Sequence, residues 1–331
     1  MFVKIKDVSI KSILSVVPKS KYLPVKKSEQ IVRVIKVLGV QSSYKANKVT
    51  TTSDLFCSAA NMILKKNKLN KSKIDILVCV TQTPDYLMPS CSNIVLQQIK
   101  LSEKCIAYDI NLGCSGYVYG LWNIMTAIQN SNMKYGLLLT GDTISKTINK
   151  SDDSNNLLFG DGVSATLVEK NKNDVNYFQI GSALEGHNKL MIYNSGFKNT
   201  SKKNKYSFYM DGKEVFSFAL TKVPVMIKTL LNSSKISIDK IKYFVFHQAN
   251  KMMLNKIFES LNISLKKRLF SIKKYGNTSS ASIPITISSS LSGEKINQSV
   301  ILAGFGAGFS FAACIIKLNK AKIFKVFKYE K

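Results

Sequence analysis

Apolar residues along this chain come in two spacings. Short unbroken runs of strand length alternate with longer stretches whose apolar positions recur at helical intervals. Ile74–Val80, Cys105–Ile110, Tyr135–Thr140, Ala165–Val168, Ile241–His247, Val300–Ala303 and Phe309–Ile316 predict strands. Ser92–Ile99, Gly116–Asn130, Met210–Leu231, Lys251–Leu261 and Ser280–Leu291 predict helices. A strand without polar alternation needs cover on both faces. The βα order therefore predicts an α/β fold, a parallel-rich sheet between helical layers.

The order also repeats. LNKSKIDILV at 69–78 is matched by ISIDKIKYFV at 236–245. The turn Phe159-Gly160-Asp161-Gly162 is matched by Phe305-Gly306-Ala307-Gly308, and each turn precedes a small-then-apolar strand, SATLV or FAACII. Two matches in the same order predict an internal duplication with halves at 1–170 and 171–331. Chance likeness between two α/β halves is the competing explanation. A unit this long is not a solenoid repeat.

Composition narrows the class. The chain has 331 residues, 45% of them hydrophobic and 21% charged, which excludes a disordered protein. Lys+Arg number 48 against 20 Asp+Glu, a net charge of +28, yet only Arg33 and Arg268 are arginines. Lysine is a solvated point charge, without the planar fork that reads phosphates and guanine edges. The excess predicts a diffuse positive surface that steers an acidic partner in a salt-dependent way. A nucleic-acid or anionic-surface binder is the rival reading, and no cluster of basic and aromatic residues supports it.

Six cysteines without a CxxC pair predict neither a metal cluster nor a disulfide framework, and point to a reducing, cytoplasmic compartment. Lys4, Lys6, Asp7 and Lys11 interrupt any signal-peptide core. Ile110–Met133 and Val300–Ile316 are uncharged, but polar residues break the first and Gly304, Gly306 and Gly308 the second, so no membrane span is expected.

Candidate chemistry lies at strand-to-helix junctions. Cys114 follows the strand CIAYDI and an Asn-Leu-Gly turn and opens a helix apolar nearly all round. Unpaired N–H groups at a buried helix start favour thiolate, which predicts a depressed pKa; a small buried hydrophobe is the alternative. Of two histidines, His187 lies in the polar stretch EGHNKL and reads as a solvated loop residue. His247 ends a buried strand, where parallel sheets place their ligand sites, although such a histidine can also be structural. Asn277, in YGNTSSASIP, precedes a helix of small residues. It is either a plain N-cap or the second half's counterpart of Cys114.

Together these segments resemble the β-ketoacyl-acyl carrier protein synthase III family of thiolase-fold condensing enzymes. The resemblance spans nearly the whole chain: TPDYLMPS at 83–90, DINLGCSGYVYGL at 109–121, LLFGDGVSATLV at 157–168, MDGKEVFSFAL at 210–220, FHQAN at 246–250, YGNTSSASIP at 275–284 and GFGAGFSFAA at 304–313. It implies a five-layer α-β-α-β-α architecture and a homodimer. It also implies a Cys114-His247-Asn277 triad, with backbone N–H groups of Cys114 and Ala307 as oxyanion hole. Phe305, Met210 and Leu87 are implied as acyl-pocket or gate residues, and Arg33, Lys213, Gln248, Asn250 and Lys251 as contacts to the thioester carrier.

The implied reaction is condensation of a Cys-bound acyl group with malonyl-acyl carrier protein. Acyl and malonyl thioesters, of acyl carrier protein or coenzyme A, are its substrates, with no metal or other cofactor. Acyl transfer to an alcohol or amine is the alternative on the same scaffold. Several positions depart from the family. Ala307 replaces the usual Gly, and a positive φ there would be strained. No Trp accompanies Arg33, and Lys251-Met252 stand where an Arg is expected after HQAN, so the donor is as readily an acyl carrier protein as coenzyme A. The tail Lys317–Lys331 runs past the usual end as either a lysine-guarded edge strand or a basic patch.

Overall fold

The computed structural model describes residues 1–24, 28–193, 195–197 and 207–330. Its elements begin with β1 (Phe2–Val17), β2 (Lys21–Tyr22), α1 (Glu29–Leu38), β3 (Ser43–Tyr44), α2 (Thr52–Lys66), β4 (Ile76–Val80), α3 (Cys91–Gln98), β5 (Ile106–Ile110), α4 (Gly116–Gln129) and β6 (Tyr135–Asp142). They continue with α5 (Asp153–Leu158), β7 (Gly162–Ser182), β8 (Leu190–Tyr193), β9 (Ser207–Met210), α6 (Gly212–Ser234), β10 (Ile241–Phe246), α7 (Lys251–Ser260), α8 (Ile272–Tyr275), α9 (Ser282–Ser290), β11 (Ser299–Gly306), β12 (Ser310–Lys317) and β13 (Lys322–Lys328).

The strands join in one continuous nine-stranded sheet in the order β10-β11-β12-β7-β6-β4-β5, with β1 along β7 and β13 along β1; its β5-β4-β6 side forms the first sheet of the fold and its β10-β11-β12 side the second. Two strands are longer than the apolar pattern foresees. Ala165–Val168 proves to be the middle of the 21-residue β7, and β1 runs for 16 residues. Each serves both halves. The first part of β7 pairs with β6 and with Ser9–Val16 of β1. Its last part pairs with β12 and with Phe2–Lys6 of β1. The boundary expected at 170/171 thus falls inside a continuous strand.

The halves repeat one topology. In the first, β5, β4 and β6 run parallel and β7 returns antiparallel. In the second, β10 and β11 are parallel and β12 returns antiparallel. The counterpart of β5 is reduced to a single parallel bridge between Phe244 and Arg268. The match is therefore one of strand order as well as of sequence.

Packing yields five layers. Helices α2 and α3 lay Leu55, Phe56, Ile63 and Val95 on Leu77, Cys79, Leu137 and Leu139 of the first sheet. On its other face, Ile76, Val78 and Val80 meet Val118, Leu121 and Ile124 of α4 and Ile283 and Ile287 of α9. Val300, Leu302, Ala312 and Cys314 of the second sheet close that central layer. Helices α6 and α7 cover the far face through Phe218, Ile227, Leu254 and Phe258. A helix lying between two sheets needs residues that can be buried on all sides. Helix α4 is apolar nearly all round, and α9 interleaves Ile and Pro with small Ser and Thr such as Thr286 and Ser288, whose hydroxyls are hydrogen-bonded.

The tail forms β13, parallel to the second half of β1. Ile323 is buried, while Lys322, Lys325 and Lys328 face solvent, as an outermost strand requires. Lys66 lies 5.3 Å and 5.0 Å above the rings of Phe324 and Phe327. Among the described residues no helix is long and apolar enough to cross a membrane.

Candidate active site

The strand ends of both halves open onto one cavity of about 430 Å³. Cys114, His247 and Asn277 all line it, with Gly306 and Ala307. Residues from separate parts of the chain meet there because α4 and α9 share the central layer and begin beside each other. The would-be Cβ of Gly113 lies 3.2 Å from Ser279 Oγ, and that of Gly116 3.3 Å from Ser280 Cβ.

Cys114 precedes α4, whose N-cap Ser115 already has helical dihedrals and makes no side-chain cap. The end of β11 passes directly over the sulfur. A Cβ on Gly306 would sit 2.6 Å from Cys114 Cβ and 2.8 Å from Sγ, and one on Gly304 would sit 2.7 Å from Cys114 O. Only glycine permits that approach. Ala307 is absent from the positive-φ residues; Gly306 and Gly308 take those angles instead (159° and 122°). The alanine is therefore unstrained, and its main chain keeps its place beside the sulfur.

The expected depression of the Cys114 pKa is corrected. Burial, followed by the Asp142 carboxylate, pushes the thiol up to about 12, against backbone groups of Ala307 and Cys114 that pull it down. Desolvation of the charged form outweighs the helix start, which lies beyond the cysteine. Asp142 is itself buried, and its Oδ1 accepts from Thr81 Oγ1 (2.8 Å), Gln82 N (2.7 Å) and Thr83 Oγ1 (3.0 Å).

Asn277 is fixed by its surroundings. Its N–H donates to Leu158 O at 2.8 Å, and its carbonyl accepts from Gly160 N at 3.0 Å. The FGDG turn is thus a brace for Asn277. Asp161 anchors that turn by accepting from Ala46 N, Ser145 N and Ser145 Oγ. Asn277 Oδ1 accepts from Ser279 N at 2.9 Å, which assigns the amide orientation and leaves its NH₂ without a hydrogen-bond partner among the described residues.

His247 follows β10 and is 1% exposed. Burial drives its pKa down to about 3, opposed by the Ser279 backbone, so the imidazole is neutral near pH 7. Its Nδ1 lies 2.7 Å from Ser282 Oγ, and its ring meets Phe305 edge-on with centroids 5.7 Å apart. Two neutral N–H donors, one imidazole and one carboxamide, can therefore face a single developing negative charge.

The remaining predicted residues divide. Phe305 and Met210 line the cavity, as do Ile144, Phe159 and Leu190. Leu87 does not; it is 72% exposed on the loop before α3. Asn250 lines the cavity and caps α7 by accepting from Met253 N, and Lys251 beside it is exposed. Lys213 is exposed next to the lining residue Gly212. Arg33 lies outside the cavity wall on α1, 3.8 Å from Glu29.

Gln248 as a carrier contact is corrected. It is fully buried, donating to Phe246 O and accepting from Ser271 N and Ile272 N, so its amide is consumed in holding the turn. His187, read as a solvated loop residue, is exposed but also lines the cavity. Nothing in EGHNKL marks that placement, nor does any local pattern mark Ser282 or Asp142.

Comparison with known proteins agrees with this arrangement. Residues 108–185 match the family model described as 3-oxoacyl-[acyl-carrier-protein (ACP)] synthase III, and residues 231–318 match its C-terminal counterpart. The chain is 37% identical over 289 residues to the beta-ketoacyl-[acyl-carrier-protein] synthase III of Porphyra purpurea, covering 84% of this chain and 88% of the relative. The synthase III of Streptococcus gordonii is 35% identical over 81% of this chain and 85% of its own. A crystal structure of the 3-oxoacyl-(acyl-carrier protein) synthase of Burkholderia xenovorans superposes with a TM-score of 0.95 at 32% identity, covering 99% of both chains. On these matches and on its fold, the chain belongs to the β-ketoacyl-[acyl-carrier-protein] synthase III family.

Proposed function

We propose that this protein catalyses decarboxylative Claisen condensation of a Cys114-bound acyl group with malonyl-acyl carrier protein, in fatty-acid or specialised acyl-chain biosynthesis. The carrying observation is that Cys114, His247 and Asn277 line one cavity, with Asn277 Oδ1 committed to Ser279 N and its NH₂ without a hydrogen-bond partner among the described residues. The N-terminal half, residues 1–170, supplies the nucleophile, and residues 171–331 supply the two donors.

In the first half-reaction Cys114 Sγ attacks the acyl thioester carbonyl. The oxyanion lies against the N–H groups of Cys114 and Ala307, and collapse expels the carrier thiol, which leaves with the cysteine proton. In the second, the malonyl carboxylate departs as CO₂ and its bonding pair forms an enolate. The enolate oxygen is held by the imidazole N–H of His247 and the Asn277 NH₂. The enolate carbon attacks the acyl-cysteine carbonyl, and the thiolate that leaves is reprotonated from solvent. Every step uses groups of the chain and the two thioesters, without a cofactor.

Asn250, Lys251 and Lys213 form the rim a carrier would meet, with Arg33 on the neighbouring α1. Three ion pairs form among the described residues, Lys11–Glu169, Arg33–Glu29 and Lys189–Asp211, so little of the positive charge is cancelled locally. That surface favours an acidic carrier. Tyr86, Leu87 and Met88 form an exposed apolar loop tip whose base is tied down by Asp85, which accepts from Ser53 N and Oγ. We read this tip as part of a homodimer interface, and we place the enzyme in the cytoplasm.

Malonyl-carrier decarboxylation, measured as CO₂ release, tests the proposal. Asn277→Ala is expected to lose at least tenfold in this step while intact-protein mass spectrometry still finds acyl-Cys114; Cys114→Ser loses the adduct. Normal CO₂ release by Asn277→Ala would favour simple acyl transfer. Acyl-coenzyme A and acyl carrier protein donors offered in parallel identify the physiological thioester.

A further inference from the structure

The His247 main chain is pinned by its N–H donating to Ala303 O at 2.7 Å, which leaves the imidazole to be set by its side-chain contacts. Phe305 packs edge-on and offers no hydrogen bond. The Ser279 main chain lies near the ring and opposes its fall in pKa, but among the described residues the partner that meets hydrogen-bond geometry is Ser282 Oγ, 2.7 Å from Nδ1. Ser282 is fully buried at the start of α9, and the Gln248 N–H also points at its oxygen from 3.4 Å.

A hydroxyl carries one proton, and that count decides the tautomer. If Nδ1 carried the imidazole proton, the Ser282 oxygen would face two donors, Nδ1–H and Gln248 N–H. Its own proton would then have no acceptor within hydrogen-bond range among the described residues. If the hydroxyl donates to Nδ1, the fully buried serine is satisfied and the imidazole proton sits on Nε2, on a ring that lines the cavity, where solvent or substrate can accept it. A buried donor without an acceptor is costly, so the second arrangement prevails. Because burial keeps the ring neutral near pH 7, only one nitrogen bears a proton.

We propose that Ser282 is a positioning residue, whose hydroxyl holds His247 in the Nε2–H tautomer and thereby makes the imidazole a donor toward the cavity. This rests on the reading of His247 as a donor to the malonyl-derived enolate. With the opposite tautomer, a nitrogen lone pair would face the developing oxygen charge. Ser282 therefore acts on the decarboxylating half-reaction and leaves Cys114 acylation alone.

The chain has only two histidines, so ¹⁵N-histidine labelling of the full-length protein resolves the tautomer directly. The ring nitrogens of His247 are assigned by difference with His187→Gln. Wild type is expected to show a protonated Nε2 and a bare Nδ1. Ser282→Ala is expected to lose this pure Nε2–H signature and at least tenfold in malonyl-carrier decarboxylation, with KM within about twofold and Cys114 acylation unchanged. Ser282→Thr, which keeps the hydroxyl, is expected to recover at least a third of the rate.

A wild-type spectrum with the proton on Nδ1 overturns the proposal, whether or not any variant folds. So does a Ser282→Ala enzyme that decarboxylates at the wild-type rate. A wild-type protein that releases no CO₂ from malonyl thioester, with the Nε2–H tautomer in place, would instead refute the condensation reading and leave the tautomer assignment standing.

Discussion

Alkylation of Cys114 across pH measures the balance between burial and the helix start. The thiol is pushed up to about 12 from an ordinary 9.0. A rise of that size corresponds to roughly 4 kcal/mol in favour of thiol over thiolate. At pH 8 the thiolate fraction is then on the order of 10⁻⁴, against about 0.1 for an unshifted cysteine. The rate of carbamidomethylation by iodoacetamide, followed on the Cys114 peptide by mass spectrometry, is expected to rise about tenfold per pH unit from pH 7 to 10 without a plateau. Asp142→Asn removes the carboxylate that adds to the shift and is expected to raise the rate at fixed pH. A plateau with a midpoint below about pH 8 would refute this reasoning, because the backbone N–H groups and the α4 terminus would then outweigh desolvation. The mechanistic consequence is that the resting nucleophile is a thiol, whose proton departs as the thioester is attacked.

Other consequences can be measured separately. Gly306→Ala places a methyl group within 2.8 Å of the Cys114 sulfur, so a loss of about 1–3 kcal/mol in chemical denaturation and at least tenfold slower acylation are expected; an unaffected variant would contradict the close approach. His247 titrates at about 3 when folded instead of 6.5, so between these values the unfolded chain binds the extra proton. Its stabilising contribution is complete above pH 6.5 and fades as pH falls, by roughly 3 kcal/mol at pH 4.5. Denaturation curves of wild type and His247→Gln should therefore diverge over that window, and parallel pH dependence would refute the assignment. Ile323→Ala should cost about 2–4 kcal/mol if β13 is part of the core, and a silent substitution would make the tail a surface appendage.

Much of the fold follows from short-range pattern. Helix α4 is apolar on every side, and such a helix has nowhere stable to go except between two sheets. The strands β4, β6, β10 and β11 are equally explicit, because uninterrupted apolar runs demand cover on both faces. FHQAN marks a strand-to-helix junction, and YGNTSS marks the turn from α8 into α9. The reach of β1 and β7 is different. Their polar alternation after the first residues fits an ordinary surface strand, and only pairing with both sheets extends them.

The chemistry of the site is a tertiary matter. Whether Gln248 faces a ligand or the interior depends on Ser271 and Ile272, which another segment brings to it. The titration of Cys114 sums the burial and charge of groups as distant in sequence as Asp142 and Ala307. Amino-acid order by itself determines the layers and which residue types stand at the strand ends. The direction of a pKa shift, the hand of an amide and the tautomer of an imidazole are decided only when the two halves close on each other, because desolvation and hydrogen bonding depend on spatial neighbours rather than chain neighbours.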